Sequence, residues 1–251
     1  MKLNRLWVNI LTVLIYIGSQ LFVLIPTSIF IKQGHDSNTA FLMAVPYYVG
    51  SFVVASLLVI FINTRIKNKT RVERSVKTDT LSTIGLIVGG FFISLFAQMM
   101  LGMINTYILN QPLESQNTSQ IMGIAKQAPI FIILIAIVGP ILEEFVFRKV
   151  IFGEIYELIK GNRGVAFVIS VLISGFIFSA AHSDFNHTLI YMGMSVVFSG
   201  LYVLSNRIIV PIAAHMLMNG FVVLMQVVFA DKVIEAQKQL EQVNFIMHLF
   251  H

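Results

Sequence analysis

Seven long apolar stretches constrain what this chain can fold into. They cover residues 6–31, 41–63, 81–105, 128–152, 164–183, 188–205 and 207–230. Most reach or exceed the roughly 20 residues that an α-helix needs to cross the hydrocarbon core of a bilayer. The mean hydropathy is +0.83 and only 12% of the residues are charged, about half of what soluble domains carry. The sequence therefore predicts an all-α fold, a polytopic bundle of about seven transmembrane helices in a lipid bilayer.

The net charge of +5 is concentrated between the apolar stretches. Segment 64–77 is rich in Lys and Arg, and the positive-inside rule places such short loops in the cytoplasm. We therefore expect a multi-pass protein of the cell membrane with a cytoplasmic N-terminus. A basic chain can also bind nucleic acid, but this distribution favours membrane topology and indicates no nucleic-acid partner. Binding of lipid head groups or of a protein partner by segment 64–77 stays open.

The remaining segments indicate one membrane domain over residues 1–251, since no linker or internal repeat divides the chain. The first three stretches, within residues 1–127, carry almost no candidate functional residues. Segment 106–127, rich in Asn, Gln and Ser, is expected to be an external loop. The tail, 231–251, is also expected outside, as a short amphipathic helix at the interface. Cysteine is absent, which excludes disulfides and thiolate chemistry.

Two glutamates, Glu143 and Glu144, lie side by side inside stretch 128–152. A charge at bilayer depth costs about 2.5–3.5 kcal/mol on insertion scales, so an intramembrane acid indicates a functional site. Glu144 and Arg148 are four residues apart and can pair on one helix face. Glu143 is rotated by about 100° from Glu144, so it is the acid expected to be left for chemistry or for a metal. Alternatively, the helix ends here and its charged residues lie at the interface.

A histidine, His182, closes the fifth apolar stretch in Phe178-Ser-Ala-Ala-His182. The small residues allow close helix packing in a membrane. A single histidine at a helix end is commonly a hydrogen-bonded interface residue, and Asp184 and His187 lie close by in the sequence. Counted along the helices, His182 falls near the outer end of its span, whereas Glu143 falls near mid-membrane or the cytoplasmic side. For the two to meet, the span must sit deeper, or the turn that follows must dip inward.

The last stretch carries His215 and Asn219, four residues apart on one helix face. Alone, they could be polar contacts between helices. Together with the acids and His182, they place a carboxylate pair, two imidazoles and an amide in apolar sequence. A desolvated carboxylate can act as a general base on water, imidazoles can ligate a divalent metal, and an amide can stabilise an oxyanion. This set indicates hydrolysis of an acyl bond, most simply a peptide bond.

The residues resemble a known family. The motifs Glu-Glu-x-x-x-Arg, Phe-x-x-x-His and His-x-x-x-Asn, in this order on separate membrane helices, look like the CAAX-protease and bacteriocin-processing (CPBP, or Abi) family. The resemblance covers residues 128–226, which would form the catalytic core, and all three motifs match without substitution. The chain looks like a bacterial member, similar to staphylococcal ones related to quorum sensing. The resemblance implies an intramembrane endopeptidase that acts on a membrane peptide or protein, such as a signalling or bacteriocin-like peptide.

The resemblance also implies roles for individual residues. Glu143 would activate the water, and Glu144 with Arg148 would support the site. His182 would ligate a metal or position the water, and Phe178 would line the site.

His215 and Asn219 would complete the site as metal ligands or oxyanion donors. The cofactor would be a divalent metal such as zinc, held in part by His182 and His215, or the mechanism would be a metal-free glutamate–water one. Two other function classes remain open from the residues alone. They are a proton-coupled transporter that uses the acids and histidines as a relay, and a non-catalytic membrane scaffold. The sequence predicts no oligomeric state.

Overall fold

The computed structural model describes residues 2–229. In this range the chain forms α-helices with short π- and 3-10-helical turns, and no strand is present. The predicted all-α membrane bundle is confirmed, whereas the predicted interfacial helix at 231–251 lies outside the described residues. Among the described residues, six helices are long and apolar enough to cross a membrane: Arg5–Lys32, Ser37–Thr64, Thr80–Ile108, Arg163–Ala181, Phe185–Ser205 and Ile209–Val227.

Local sequence signals define the helix ends. The side chains of Asp36, Asp79, Ser115 and Asn162 accept hydrogen bonds from backbone N–H groups in the first turns of the helices that follow them, as N-cap residues do. The α-helices outside residues 131–158 are Arg5–Phe22, Leu24–Lys32, Ser37–Thr64, Arg71–Arg74, Thr80–Met103, Gln116–Gln127, Arg163–Ala181, Thr188–Ser205 and Ile209–Val223.

Residues 131–158 form one continuous but irregular helix, which we call the acid-bearing helix. Four charged residues lie in its middle, Glu143, Glu144, Arg148 and Lys149, so it is not among the apolar spans and the predicted count of seven is not confirmed. It alternates α- and π-helical segments: Phe131–Ile133 (α), Leu134–Val138 (π), Gly139–Glu143 (α), Glu144–Phe152 (π) and Gly153–Leu158 (α).

The acid-bearing helix lies inside the bundle. Residues 144–150 are all buried, and the helix packs against spans on several sides, namely helices 5–22, 37–64, 163–181, 188–205 and 209–223. Large apolar side chains of the surrounding helices are exposed on the outside of the bundle. The charges of the central helix therefore face protein rather than lipid, which is where intramembrane charges are tolerated.

The two ends of the bundle are built differently. At one end the backbone of Leu3 pairs with Arg65 and Lys67 through hydrogen bonds of 2.8 and 2.9 Å, so the N-terminus and segment 64–77, which we call the basic loop, lie together. Their cytoplasmic location stays a prediction. At the other end, the expectation of a loop over 106–127 is wrong, because Gln116–Gln127 forms a helix capped by Ser115. Its apolar residues, among them Met122 and Ala125, pack against the bundle.

Candidate active site

A cavity of about 170 Å³ lies beside the acid-bearing helix. At about 30 Å³ per liquid water, it has room for several waters or for part of an extended peptide. Its wall is mostly apolar with a few polar groups, as in typical small-ligand sites. The cavity is lined by five of the seven predicted site residues, namely Glu143, Phe178, His182, His215 and Asn219.

The other two predicted residues, Glu144 and Arg148, lie behind this wall. Glu144 Oε2 is 3.2 Å from Arg148 Nε, and both side chains are 0% exposed. The other oxygen of Glu144 is 2.8 Å from Nδ1 of His215. A carboxylate paired with an arginine can only accept hydrogen bonds. Nδ1 of His215 therefore carries a proton, and in the neutral imidazole Nε2 is the acceptor.

The guanidinium of Arg148 lies between two aromatic rings. Its carbon is 4.3 Å from the ring centre of Phe178 and 5.2 Å from that of Phe198. The ring of Phe198 also stacks on His215 with centroids 4.7 Å apart. Cation–π contacts are strongest where the cation is desolvated, as it is here. Phe178 and Phe198 thus hold Arg148 and His215 in fixed positions relative to Glu144.

Glu143 points to the cavity instead of the ion pair. Its side chain is 18% exposed, and its Oε2 is 3.8 Å from Nε2 of His215, too long for a direct hydrogen bond but a distance that a water can bridge. The turn before it depends on Gly139: a Cβ there would lie 2.7 Å from the Leu134 carbonyl oxygen. The predicted division between a paired Glu144 and an unpaired Glu143 thus matches the geometry, although the catalytic roles stay predictions.

His182 reaches the same cavity as Glu143. It caps the helix that ends at Ala181, and Ser183 turns the chain with φ of +53°. Nδ1 of His182 lies 2.8 Å from the carbonyl oxygen of Phe178, so Nδ1 donates and Nε2 is the free nitrogen. The ring also contacts Tyr191, with centroids 4.5 Å apart. The depth difference expected from residue counting therefore does not separate His182 from Glu143.

Asn219 contributes to the site through the irregular part of the acid-bearing helix. Its Nδ2 donates a 3.1 Å hydrogen bond to the carbonyl oxygen of Ile135, inside the π-helical turn Leu134–Val138. π-helical turns release carbonyls from the regular ladder and often occur at functional sites. Asn219 therefore stabilises this turn with one N–H and retains a second N–H for another acceptor.

Each of the two histidines donates from Nδ1 to a carboxylate or a backbone carbonyl, as metal-ligating histidines do. However, the part of the chain described by the structure contains no group of three or more His, Asp or Glu side chains placed to hold one metal ion. Zinc sites use at least three protein ligands. The arrangement of donors does not fit a zinc site, and the predicted metal-binding role of His182 and His215 stays a prediction.

Several cavity residues carry no motif that sequence reasoning could detect. Tyr191 and Asn117 face the cavity, and Asn117 donates a 3.4 Å hydrogen bond to the Tyr191 hydroxyl. Gln98, in the third span, also lines it, and its buried Oε1 has no hydrogen-bond partner within residues 2–229. A polar amide in an apolar stretch was the available signal for Gln98.

Asp184 and His187 lie outside the cavity wall. His187 bonds to Asp184 at 3.0 Å and to the Pro112 carbonyl oxygen at 3.0 Å, and Ser115 donates to Asp184 at 2.6 Å. Burial raises the pKa of Asp184, but the hydrogen bonds from Ser115 and His187 outweigh it and hold the pKa below its usual value. These hydrogen bonds hold the turn after His182 against segment 112–115. Of the two neighbouring histidines, only His182 lines the cavity.

A bundle with an ion-paired acid behind a second acid, both beside His215, has the groups that a membrane-embedded hydrolase requires. The family model described as "Type II CAAX prenyl endopeptidase Rce1-like" matches residues 125–221. The chain belongs to this CAAX protease family and is a membrane peptidase.

Two curated bacterial proteins are similar over nearly their full lengths. The membrane-embedded CAAX protease MroQ of Staphylococcus aureus (strain USA300) is 40% identical over 250 residues, 99% of each chain. The putative membrane peptidase YdiL of Bacillus subtilis (strain 168) is 38% identical over 229 residues, 89% of each chain. No solved structure matches the chain.

Proposed function

We propose that this protein is an intramembrane endopeptidase in which Glu143 activates a water for attack on a peptide bond. The observation that carries the proposal is the unequal environment of the two acids. Glu144 is neutralised by Arg148 and bonded to His215, whereas Glu143 faces the cavity. One acid is thus left free to exchange a proton with a water in the cavity.

The water would sit between Glu143 and Nε2 of His215, which are 3.8 Å apart. Nε2 accepts a hydrogen bond from the water and aligns it, and Glu143 removes the other proton as oxygen bonds to the scissile carbonyl carbon. Glu143 then gives this proton to the amine as the carbon–nitrogen bond breaks. The products are a carboxylic acid, which then loses its proton to solvent, and an amine, and Glu143 is again ionised.

The oxyanion that forms in this step requires a donor. The second N–H of Asn219 is the group that we propose for this role, because its first N–H is already bonded to Ile135. Loss of one oxyanion donor usually costs 10²–10³ in rate. Nδ1 of His182 is bonded to the Phe178 carbonyl oxygen, so we assign Nε2 of His182 to accepting a hydrogen bond from the substrate amide.

The substrate class that we propose is a membrane-associated peptide or a flexible segment of a membrane protein, such as a signalling or bacteriocin-like precursor. A cavity of about 170 Å³ admits part of an extended chain and excludes a folded domain. The aromatic wall formed by Phe178 and Tyr191 suits apolar substrate side chains.

The test is a comparison of peptides in membranes of cells that produce the wild type, Glu143→Gln or His215→Ala. We expect a membrane peptide to accumulate uncleaved in both variants. Glu114→Gln and His35→Ala are the matched controls, since both residues are exposed and outside the cavity, and they should behave as the wild type. Wild-type cleavage in Glu143→Gln would refute the mechanism, and a proton flux that Glu143→Gln abolishes without any uncleaved peptide would favour the relay alternative.

A further inference from the structure

A second cavity, of about 290 Å³, lies at the end of the bundle where the basic loop packs. Ends of four membrane spans meet there. Thr64 ends one helix, Lys77 precedes the helix that starts at Thr80, and Asn206 with Arg207 joins two others. Because all these positions are span termini, the cavity lies at the level of the lipid head groups of one leaflet.

The lining of this cavity is strongly positive. Four basic side chains face it, those of Lys69, Lys77, Lys149 and Arg207, against one carboxylate, that of Glu73. The carboxylate is already used, because Glu73 Oε1 lies 2.5 Å from Nζ of Lys149. The cavity therefore has an excess of positive charge that no acid lining it balances.

Two of the basic groups have no partner of their own. Lys69 and Lys77 make no side-chain hydrogen bond or ion pair with any residue of 2–229. Arg207 differs, because its Nε and one terminal nitrogen donate to the carbonyl oxygen of Thr78 at 3.0 and 2.7 Å. These bonds fix the connecting loop against the bundle, so the cavity keeps its shape without a ligand.

A buried hydroxyl completes the lining. Tyr202 is 0% exposed and lies at the cavity wall. Its hydroxyl lies beside Thr70 but makes no hydrogen bond of normal geometry within the described residues. A buried hydroxyl without a partner is destabilising, so a phosphate oxygen brought within reach of it by a small side-chain movement would remove a penalty that the protein otherwise carries.

We propose that this cavity binds the phosphate group of an anionic ligand, with the lysines as charge partners and the Tyr202 hydroxyl as an uncharged donor. Phosphate oxygens accept hydrogen bonds from both kinds of group. The position among span ends favours the phosphodiester of an anionic phospholipid over a free phosphate. Lys149 follows Arg148 directly, so the bound head group would touch the helix that carries the active-site acids. Binding here is independent of the hydrolytic chemistry.

The test measures binding of phosphatidylglycerol and phosphatidylcholine to the purified full-length protein in detergent by native mass spectrometry. We expect the wild type to prefer the anionic lipid and the double variant Lys69→Gln/Lys77→Gln to lose this preference by about fivefold per lysine. Tyr202→Phe should weaken binding several-fold, with its thermal unfolding unchanged or raised. The charge-matched control is Lys67→Gln/Lys160→Gln, which removes two lysines from the same end of the bundle but outside the cavity lining.

The outcomes separate the possible explanations. Equal losses in both double variants would show diffuse charge attraction and overturn the site, as would unchanged binding in Lys69→Gln/Lys77→Gln. Inorganic phosphate is added in a parallel arm. If inorganic phosphate displaces the lipid from the wild type, and binds in the absence of lipid with the same dependence on Lys69 and Lys77, the natural ligand is a soluble phosphate. If the lipid is displaced only at molar salt concentrations, the natural ligand is the phospholipid.

Discussion

His215 and Glu144 are joined by a 2.8 Å hydrogen bond from Nδ1 of the imidazole to Oε1 of the carboxylate. The carboxylate is in turn paired with Arg148. This chain of contacts sets the tautomer of His215 and turns its Nε2 to the side where Glu143 lies. The two neighbouring acids consequently have separable roles, one in structure and one in chemistry.

Glu144→Gln should destabilise the protein more than Glu143→Gln does. Removal of one partner of a buried ion pair leaves the other charge unpaired and costs about 3–5 kcal/mol. We expect a large drop in the unfolding temperature of Glu144→Gln in detergent. For Glu143→Gln we expect a near wild-type unfolding temperature and loss of peptidase activity. Equal unfolding temperatures for the two variants would contradict the division of roles.

Gly139→Ala should disturb the turn that orients Glu143. The added Cβ would meet the Leu134 carbonyl oxygen at 2.7 Å, and because this atom belongs to the backbone, the helix itself must shift. We expect a loss of stability of about 1–3 kcal/mol and at least a tenfold loss of activity. Gly50→Ala is the control, since nothing lies within 4 Å of a Cβ there and alanine favours the helix. A Gly139→Ala enzyme with wild-type activity would show that the turn is not needed.

Gln98→Leu should weaken substrate binding without affecting folding. The buried Oε1 of Gln98 has no hydrogen-bond partner in the described chain and lines the cavity, so it is free to accept an N–H of an extended substrate. One such bond contributes about 0.5–1.5 kcal/mol, which predicts a rise in KM of about two- to tenfold with kcat nearly unchanged. Steady-state kinetics test this. A fall in kcat at constant KM would place Gln98 in the chemical step instead.

Asp184→Asn should remove a pH dependence of the protein's stability. Asp184 lies in the turn after His182, at one end of the bundle. The folded protein holds the pKa of Asp184 below its usual value. The ionised group therefore adds stability above about pH 4, and this contribution is lost as the pH falls through the folded-state pKa. We expect unfolding temperatures of the wild type and Asp184→Asn to converge below pH 4 and to differ at pH 7. A constant difference across this range would exclude Asp184 as the cause.

Treatment with a chelator should leave activity in place, because the donors around the cavity do not form a three-ligand group in the described chain. The measurement is metal content and peptidase activity before and after dialysis against EDTA. A metal-dependent enzyme would instead contain about one metal per protein. That metal would be lost in His182→Ala and His215→Ala, and zinc would restore the activity that the chelator removed.

The site was predictable from sequence where spacing alone determines contact. Glu144 and Arg148 pair as their four-residue separation predicts, and His215 and Asn219 share one face. The sequence could not predict the π-helical segments Leu134–Val138 and Glu144–Phe152, because their apolar pattern does not distinguish them from a regular α-helix. Gln98 has no motif that distinguishes it from any polar residue in a span.

The helix at 116–127 was missed for another reason. Its composition is too polar for a membrane span, and its amphipathic pattern is short.

The count of spans depends on the acid-bearing helix, whose charges exclude it from a purely apolar criterion even though it lies at the centre of the bundle. Hydropathy reflects how favourably a segment transfers into lipid. The acid-bearing helix is surrounded by other helices, so its hydropathy does not show that it lies inside the bundle.

The central position of the acid-bearing helix has a consequence for synthesis. Three of the helices that enclose it, 163–181, 188–205 and 209–223, follow it in the chain, and His215 comes from the last of these. When the ribosome has just finished residue 158, Glu144 and Arg148 can pair with each other, but Phe178, Phe198 and His215 do not yet exist. The protein contacts of this charged helix are therefore complete only once residues 209–223 have been made, so the site assembles late in synthesis.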